Sequence, residues 1–137
     1  MQGYNCAQAT SAAFAEDFSL DEKAVLGMTA GFGGGIGGLR ETCGALSGMV
    51  YVAGLHAGMY PAGDLELKTK LYDLVKTVNR EFIDRFGTTC CRDLLEKADC
   101  LPLPDPSPRT AEYYAERPCA RFVGAAAEII ARNVGLE

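Results

Sequence analysis

The sequence predicts an all-α protein: a single domain over residues 1–137, folded as a bundle of about six or seven helices with a glycine-rich loop. Three observations carry this. Apolar residues recur at helical spacing in long segments. No β-rich alternating stretch of useful length appears, and no internal repeat. The strongest breakers gather in two places, the glycines of 31–38 and the prolines of 101–108. With 48% hydrophobic residues among 137, the chain has enough apolar side chain for a real core.

Residues 5–16 are alanine-rich and hold no breaker, which gives a first helix. Ser19 and Glu22 stand at capping-box spacing and start a second, to about Ala30. Gly31-Phe32-Gly33-Gly34-Gly35-Ile36-Gly37-Gly38 cannot continue it, because glycine loses too much conformational freedom in a helix. A third helix runs from about Glu41 to His56 or Gly58. Its Gly44 and Gly48, with Ala45 and Ala53, leave a side-chain-poor surface for close packing. Between Thr42 and Gly63 no side chain carries a formal charge, a length that would cross a bilayer. Five glycines, His56 and Pro61 make that stretch only mildly hydrophobic, so it reads as a buried central helix and not a transmembrane segment. His56, the single histidine, reads as an ordinary core or surface residue, and one histidine by itself gives no case for a Ser/His/Asp arrangement.

The fourth helix is the most strongly patterned. Leu67, Leu71, Leu74, Val75, Val78, Phe82 and Phe86 share helical spacing, Asp64–Lys68 and Glu66–Lys70 are i,i+4 pairs, and Gly87 ends it. A short helix follows over 89–97. Pro102, Pro104, Pro106 and Pro108 then force an extended loop. Residues 110–117 read as a brief helix with Tyr113 and Tyr114 as packing residues. Pro118 opens the last helix, with Phe122, Ala126, Ile129 and Ile130 on one face.

Against this frame the cysteines fall where helices begin. Cys6 follows Asn5, Cys43 follows Thr42, Cys90 and Cys91 follow Thr88-Thr89, and Cys119 follows Pro118. The first turn carries unpaired N–H groups and the positive end of the dipole, which favour the thiolate, the form that attacks disulfides or binds metal. A cysteine is also a common small core residue, and packing alone accounts for any one of them. No Cys-x-x-Cys occurs, so neither a thioredoxin-like motif nor a zinc ribbon is present. Arg40, Arg92 and Arg121 each lie within three residues of such a cysteine. Gly33-x-Gly35-x-x-Gly38 spells a dinucleotide fingerprint by letter, but that motif needs a preceding strand and here a helix precedes it. Its better use is local: backbone passing close to Cys43, with N–H donors that suit thiolates or cluster sulfurs.

A net charge of −5 without a basic cluster argues against nucleic acid as a partner. No charged n-region and apolar core open the chain, so a cytoplasmic location is expected, where six cysteines are thiols or metal ligands sooner than structural disulfides.

Gly3-Tyr4-Asn5-Cys6-Ala7-Gln8-Ala9, Gly31-Phe32-Gly33-Gly34-Gly35 and Cys43-Gly44-Ala45-Leu46-Ser47-Gly48 together resemble the C_GCAxxG_C_C family of "putative redox-active" proteins. Phe86-Gly87-Thr88-Thr89-Cys90-Cys91-Arg92-Asp93-Leu94 and Cys119-Ala120-Arg121-Phe122-Val123 fit its remaining two cysteines. The resemblance implies that the characteristic cysteines are Cys6, Cys43, Cys91 and Cys119. Cys90 and Cys100 are extra to the pattern. The related helical domain of split-Soret cytochromes implies an iron–sulfur site built from such cysteines. No Cys-x-x-Cys-His is present, so there is no haem motif.

Three functions compete. The first is a thiol-dependent oxidoreductase or redox protein working by thiol–disulfide chemistry with a redox partner that the sequence does not name. Cys43 is then the expected nucleophile, acidified below about 8.5 by its helix start and Arg40, with Cys6, Cys91 or Cys119 resolving the mixed disulfide. The second uses the same four thiolates to hold an iron–sulfur cluster, or less readily zinc, for electron transfer or sensing. The third is a helical interaction module whose cysteines only pack. A homo-oligomer is compatible with each.

Overall fold

A computed structural model describes residues 3–100 and 118–136. It is all-α, with six α-helices among the described residues: α1 (Cys6–Ala12), α2 (Glu22–Thr29), α3 (Gly44–Ala57), α4 (Leu65–Phe86), α5 (Cys91–Lys97) and α6 (Cys119–Val134). Short 3-10 turns occupy Glu16–Phe18 and Ala30–Phe32. The proline loop and brief helix expected over 101–117 lie outside the described residues.

Helix α3 is the centre of the bundle, packed by α1, α4 and α6. Being surrounded, it is apolar on nearly every side, and Ala45, Met49, Val52 and Ala53 are fully enclosed. The side-chain-poor surface expected on it is where α1 docks. A Cβ on Gly48 would stand 2.6 Å from Thr10 Cβ, and one on Gly44 2.9 Å from the Ala7 nitrogen. From the other side, the apolar stripe of α6 inserts Phe122, Ala126, Ile129 and Ile130, all buried as their spacing requires. Phe82, Phe86 and Phe122 form an aromatic cluster joining α4 to α6, with centroids 4.8–6.2 Å apart. Outside it, Arg85 pairs with Glu128 at 3.0 Å, and Arg132 and Asn133 both reach Glu81.

Helix ends follow the caps. Asn5 Oδ1 accepts from the Gln8 N–H at 2.9 Å and Gln8 Oε1 accepts from the Asn5 N–H at 3.1 Å, a reciprocal box that starts α1. Gly87, at φ 85°, ends α4 in the left-handed region expected of it. Three expectations are corrected. The first helix stops at Ala12 because Phe14 and Ala15 must turn into the core. The second begins one cap later. Asp21, not Ser19, accepts from Ala24 N–H, while Ser19 sits at φ 55° closing the preceding turn. Asp64 caps α4 through the Leu67 N–H, whereas Glu66 and Lys70 do pair, at 3.7 Å. No helix among the described residues is long and apolar enough to cross a membrane.

Candidate functional site

Backbone pairing brings the helix starts together. Residues 40–43 run antiparallel to 89–92, with Thr42 bridged to Cys90, the Cys43 N–H donating to Thr89 O at 2.7 Å and the Arg92 N–H to Arg40 O at 3.2 Å. This fixes the start of α3 beside the start of α5. The start of α1 joins them through Gly44, whose missing Cβ would lie 3.2 Å from Cys6 Cβ. Asn5, having capped α1, also donates through Nδ2 to Ala30 O at 3.0 Å, and its side chain fills the space over Gly33, where a Cβ would stand 2.1 Å away. Gly33 is glycine because a capping side chain needs its place.

The glycine run closes the wall. Five successive residues, Gly34, Gly35, Ile36, Gly37 and Gly38, have φ between 54° and 80°, one turn of left-handed backbone. Glycine takes that conformation without steric cost; Ile36, β-branched and at φ 69°, does not. Gly35 lets the turn pack directly on Cys91 and Arg40, since a Cβ there would lie 2.7 Å from Cys91 Cβ and 2.6 Å from Arg40 Cα.

One small cavity results. Its lining includes Cys6, Cys43, Cys91 and Cys119 together with Gly34, Gly35 and Arg40, backed by Leu94, Leu95 and Phe122. The enclosed space is about 20 Å³, the room of one water-sized guest. Cys90 and Cys100 do not line it. The Cys90 thiol donates to Arg40 O at 3.5 Å and the Cys100 thiol to Ala98 O at 3.6 Å. Cys90 is the extended N-cap residue of α5, bridged to Thr42, while Cys91 is the first residue of the helix and lines the cavity.

The ionisation expected of Cys43 is overturned. The helix expected from about Glu41 would hold Cys43 in its first turn; residues 40–43 pair with 89–92 instead, so α3 starts at Gly44 with Cys43 as its N-cap, only 3% exposed. Burial pushes its thiol up to about 12. The N–H groups of Ala45 and Leu46 oppose this without forming a full capping hydrogen bond, and Cys91 and Cys119 add like charge. Arg40 is not its counter-ion. The guanidinium donates to Cys91 Sγ at 3.6 Å. Cys91 is half-buried; desolvation raises its pKa overall, and the Arg40 hydrogen bond and charge partly offset the rise. Arg92, Arg121 and His56 are exposed.

The sulfurs do not converge as a metal cage. Among the described residues no group of three or more His, Cys, Asp or Glu side chains is placed to hold a metal ion. With one water-sized space between them, the four cysteines as arranged do not fit a polynuclear cluster. The contributions of Gly34, Gly35 and Phe122 were not assigned from sequence individually. The glycine run and the α6 stripe were the available signals.

With four separated cysteines on one cavity, the family comparison becomes specific. The model of the family described as "Putative redox-active protein (C_GCAxxG_C_C)" matches residues 4–133. The chain belongs to this family. It is also similar to an uncharacterized protein of Archaeoglobus fulgidus, 31% identical over 134 residues that span 91% of this chain and 81% of that protein. No solved structure matches.

Proposed function

We propose that the protein is a cysteine-based redox protein that works by thiol–disulfide exchange at the cavity formed by Cys6, Cys43, Cys91 and Cys119. The observation that carries this reading is the shared cavity itself: four cysteines from four helix starts, distant in sequence, line one small space. A core that needed only small apolar residues has no reason to draw thiols from α1, α3, α5 and α6 to one point. Oxidation of two of them to a disulfide releases two protons and two electrons, which pass to a disulfide outside the protein and reduce it to a dithiol.

Within that site the roles divide by exposure. Cys91, half-buried and beside Arg40, is the thiol that meets the partner. Cys6, the other half-buried cavity cysteine, is suited to resolving a mixed disulfide, whereas Cys43, enclosed and held protonated by burial, is a poor nucleophile.

The test is a redox titration of anaerobically prepared protein against glutathione, with disulfides mapped by mass spectrometry and metals measured on the same sample. A reversible two-electron couple joining two of the four cysteines, kept in Cys90→Ser and Cys100→Ser and lost in Cys91→Ser, supports the reading. Stoichiometric iron and acid-labile sulfide or zinc, with no disulfide couple, would replace it by the metal-binding alternative. Neither signal, with stability alone lowered by the substitutions, would leave a packing role.

A further inference from the structure

Among the described residues, two amides of the glycine turn have no acceptor. From Ile36 to Glu41 every backbone N–H donates to a carbonyl: Ile36 to Phe32, Gly37 to Gly31, Gly38 to Gly33, Leu39 to Ile36, Arg40 to Gly34 and Glu41 to Gly35. Among the described residues the N–H groups of Gly34 and Gly35 have no acceptor. Both residues line the four-cysteine cavity, and Gly35 is buried. A buried amide without an acceptor is rare in folded proteins, because it surrenders its bond to water and gets nothing back.

The third component is charge. Arg40 lines the same cavity, and its Nη1 lies 3.8 Å from where a Cβ of Gly34 would stand and 3.6 Å from Cys91 Sγ. Arg40 is held there by backbone at φ 59°, an unfavourable region for a long side chain, pinned by its own N–H on Gly34 O and by the Arg92 N–H on its carbonyl. Ile36 carries the same kind of strain in the middle of the turn. Two residues with unused amides and a guanidinium line one water-sized space, a composition that suits negative charge.

We infer that the Gly34 and Gly35 amides and the Arg40 guanidinium form an anion subsite beside Cys91, which takes the carboxylate or small oxyanion end of a substrate. The space has room for one oxygen of that end, so the remainder of the molecule stays at the mouth. This deepens the thiol–disulfide reading: the purpose of the anion rests on that reading, whereas its binding does not.

The experiment is a titration of the reduced, ¹⁵N-labelled full chain with formate, following the Gly34 and Gly35 amide resonances, with formamide as the neutral probe. Saturable shifts of both amides with formate, absent with formamide and weakened at least about tenfold in Arg40→Gln, are expected. Absence of saturable shifts in the wild type, equal shifts with formamide, or equal affinity in a folded Arg40→Gln would each overturn the subsite. If Arg40→Gln does not fold, the formate–formamide comparison on the wild type decides. The glutathione titration is read separately. Formate binding without a disulfide couple leaves the subsite standing and removes the redox reading; a couple without formate binding does the reverse.

Discussion

Substituting alanine for glycine at two positions of α3 should change stability in opposite directions. Gly48 and Gly54 lie in the same helix, and on propensity alone each Gly→Ala change would stabilise by up to about 1 kcal/mol. The neighbours differ. Nothing lies within 4 Å of a Cβ at Gly54, whereas a Cβ at Gly48 would meet Thr10 Cβ at 2.6 Å, Thr10 Cγ2 at 2.8 Å and Ala7 O at 3.3 Å. Thr10 cannot swing aside, since the nearest atom is its own Cβ and the residue is fully buried and β-branched. Relief requires α1 to move bodily. Asn5 on Ala30 O and Gln8 on Leu26 O, both at 3.0 Å, hold it in place. Overpacking of this kind costs about 1–3 kcal/mol. After the propensity gain, Gly48→Ala should lose about 1–2 kcal/mol and lower the Tm by roughly 3–8 °C; Gly54→Ala should gain about 0.5–1 kcal/mol and raise it by roughly 2–4 °C. Thermal and urea unfolding followed by circular dichroism at 222 nm, under reducing conditions, measures both. Equal stabilisation at the two positions would show that α1 and α3 are not packed at this distance, and the assembly of Cys6 with the other cysteines would lose its structural basis.

Four further outcomes are expected. With its thiol near 12, Cys43 is ionised at pH 8 only to the order of 10⁻⁴, so iodoacetamide should label it in unfolded but not native protein; prompt native labelling at Cys43 would contradict its burial. Because the folded pKa is raised, this thiol's contribution to stability is intact below its ordinary 9.0 and declines as pH climbs toward 12, and Cys43→Ala should flatten that part of the pH–stability curve. Glu81 shows the opposite sign: desolvation raises its pKa, but the Asn133 and Arg132 hydrogen bonds and nearby positive charge lower it overall. Its contribution is therefore present above the ordinary carboxylate value and lost as pH falls through the folded one; acid unfolding of Glu81→Gln should show a weaker dependence there, and an unchanged profile would refute the pairing. Ile36→Asn should stabilise by about 1 kcal/mol in urea, because asparagine tolerates the left-handed region better and Ile36 is largely exposed; a loss would mean that its side chain is needed where it stands.

Most of the architecture was legible because it follows local rules. The α4 stripe, its Gly87 stop, the Asn5 cap and the glycine face of α3 are each set by neighbours within a few residues. The failures lie where two local rules compete or a distant contact decides. Ser19 and Asp21 both qualify as caps of α2, and only the turn that buries Phe14 and Ala15 chooses Asp21. Arg40 stands three residues from Cys43 in sequence yet serves Cys91, because the pairing of 40–43 with 89–92 turns its side chain toward α5.

The same contrast explains why the placement of the four cysteines was readable while their reactivity was not. A helix start favours a thiolate by about 0.3–1 kcal/mol, and at most about 2 in partly buried settings. The rise of Cys43 from 9.0 to about 12 corresponds to roughly 4 kcal/mol in the other direction. Desolvation wins, and desolvation belongs to the whole fold: Cys43 is enclosed by helices whose sequences lie far from it. The dipole argument therefore ranks helix starts above helix middles but cannot rank one helix start against another. Exposure does that. Of the four cavity cysteines, Cys43 and Cys119 are buried and Cys6 and Cys91 are half-buried. Of the latter two, Cys91 is held by a guanidinium at 3.6 Å. On the proposed thiol–disulfide reading, the entry point of the site is therefore at the start of α5, with the thiol first favoured by sequence standing behind it.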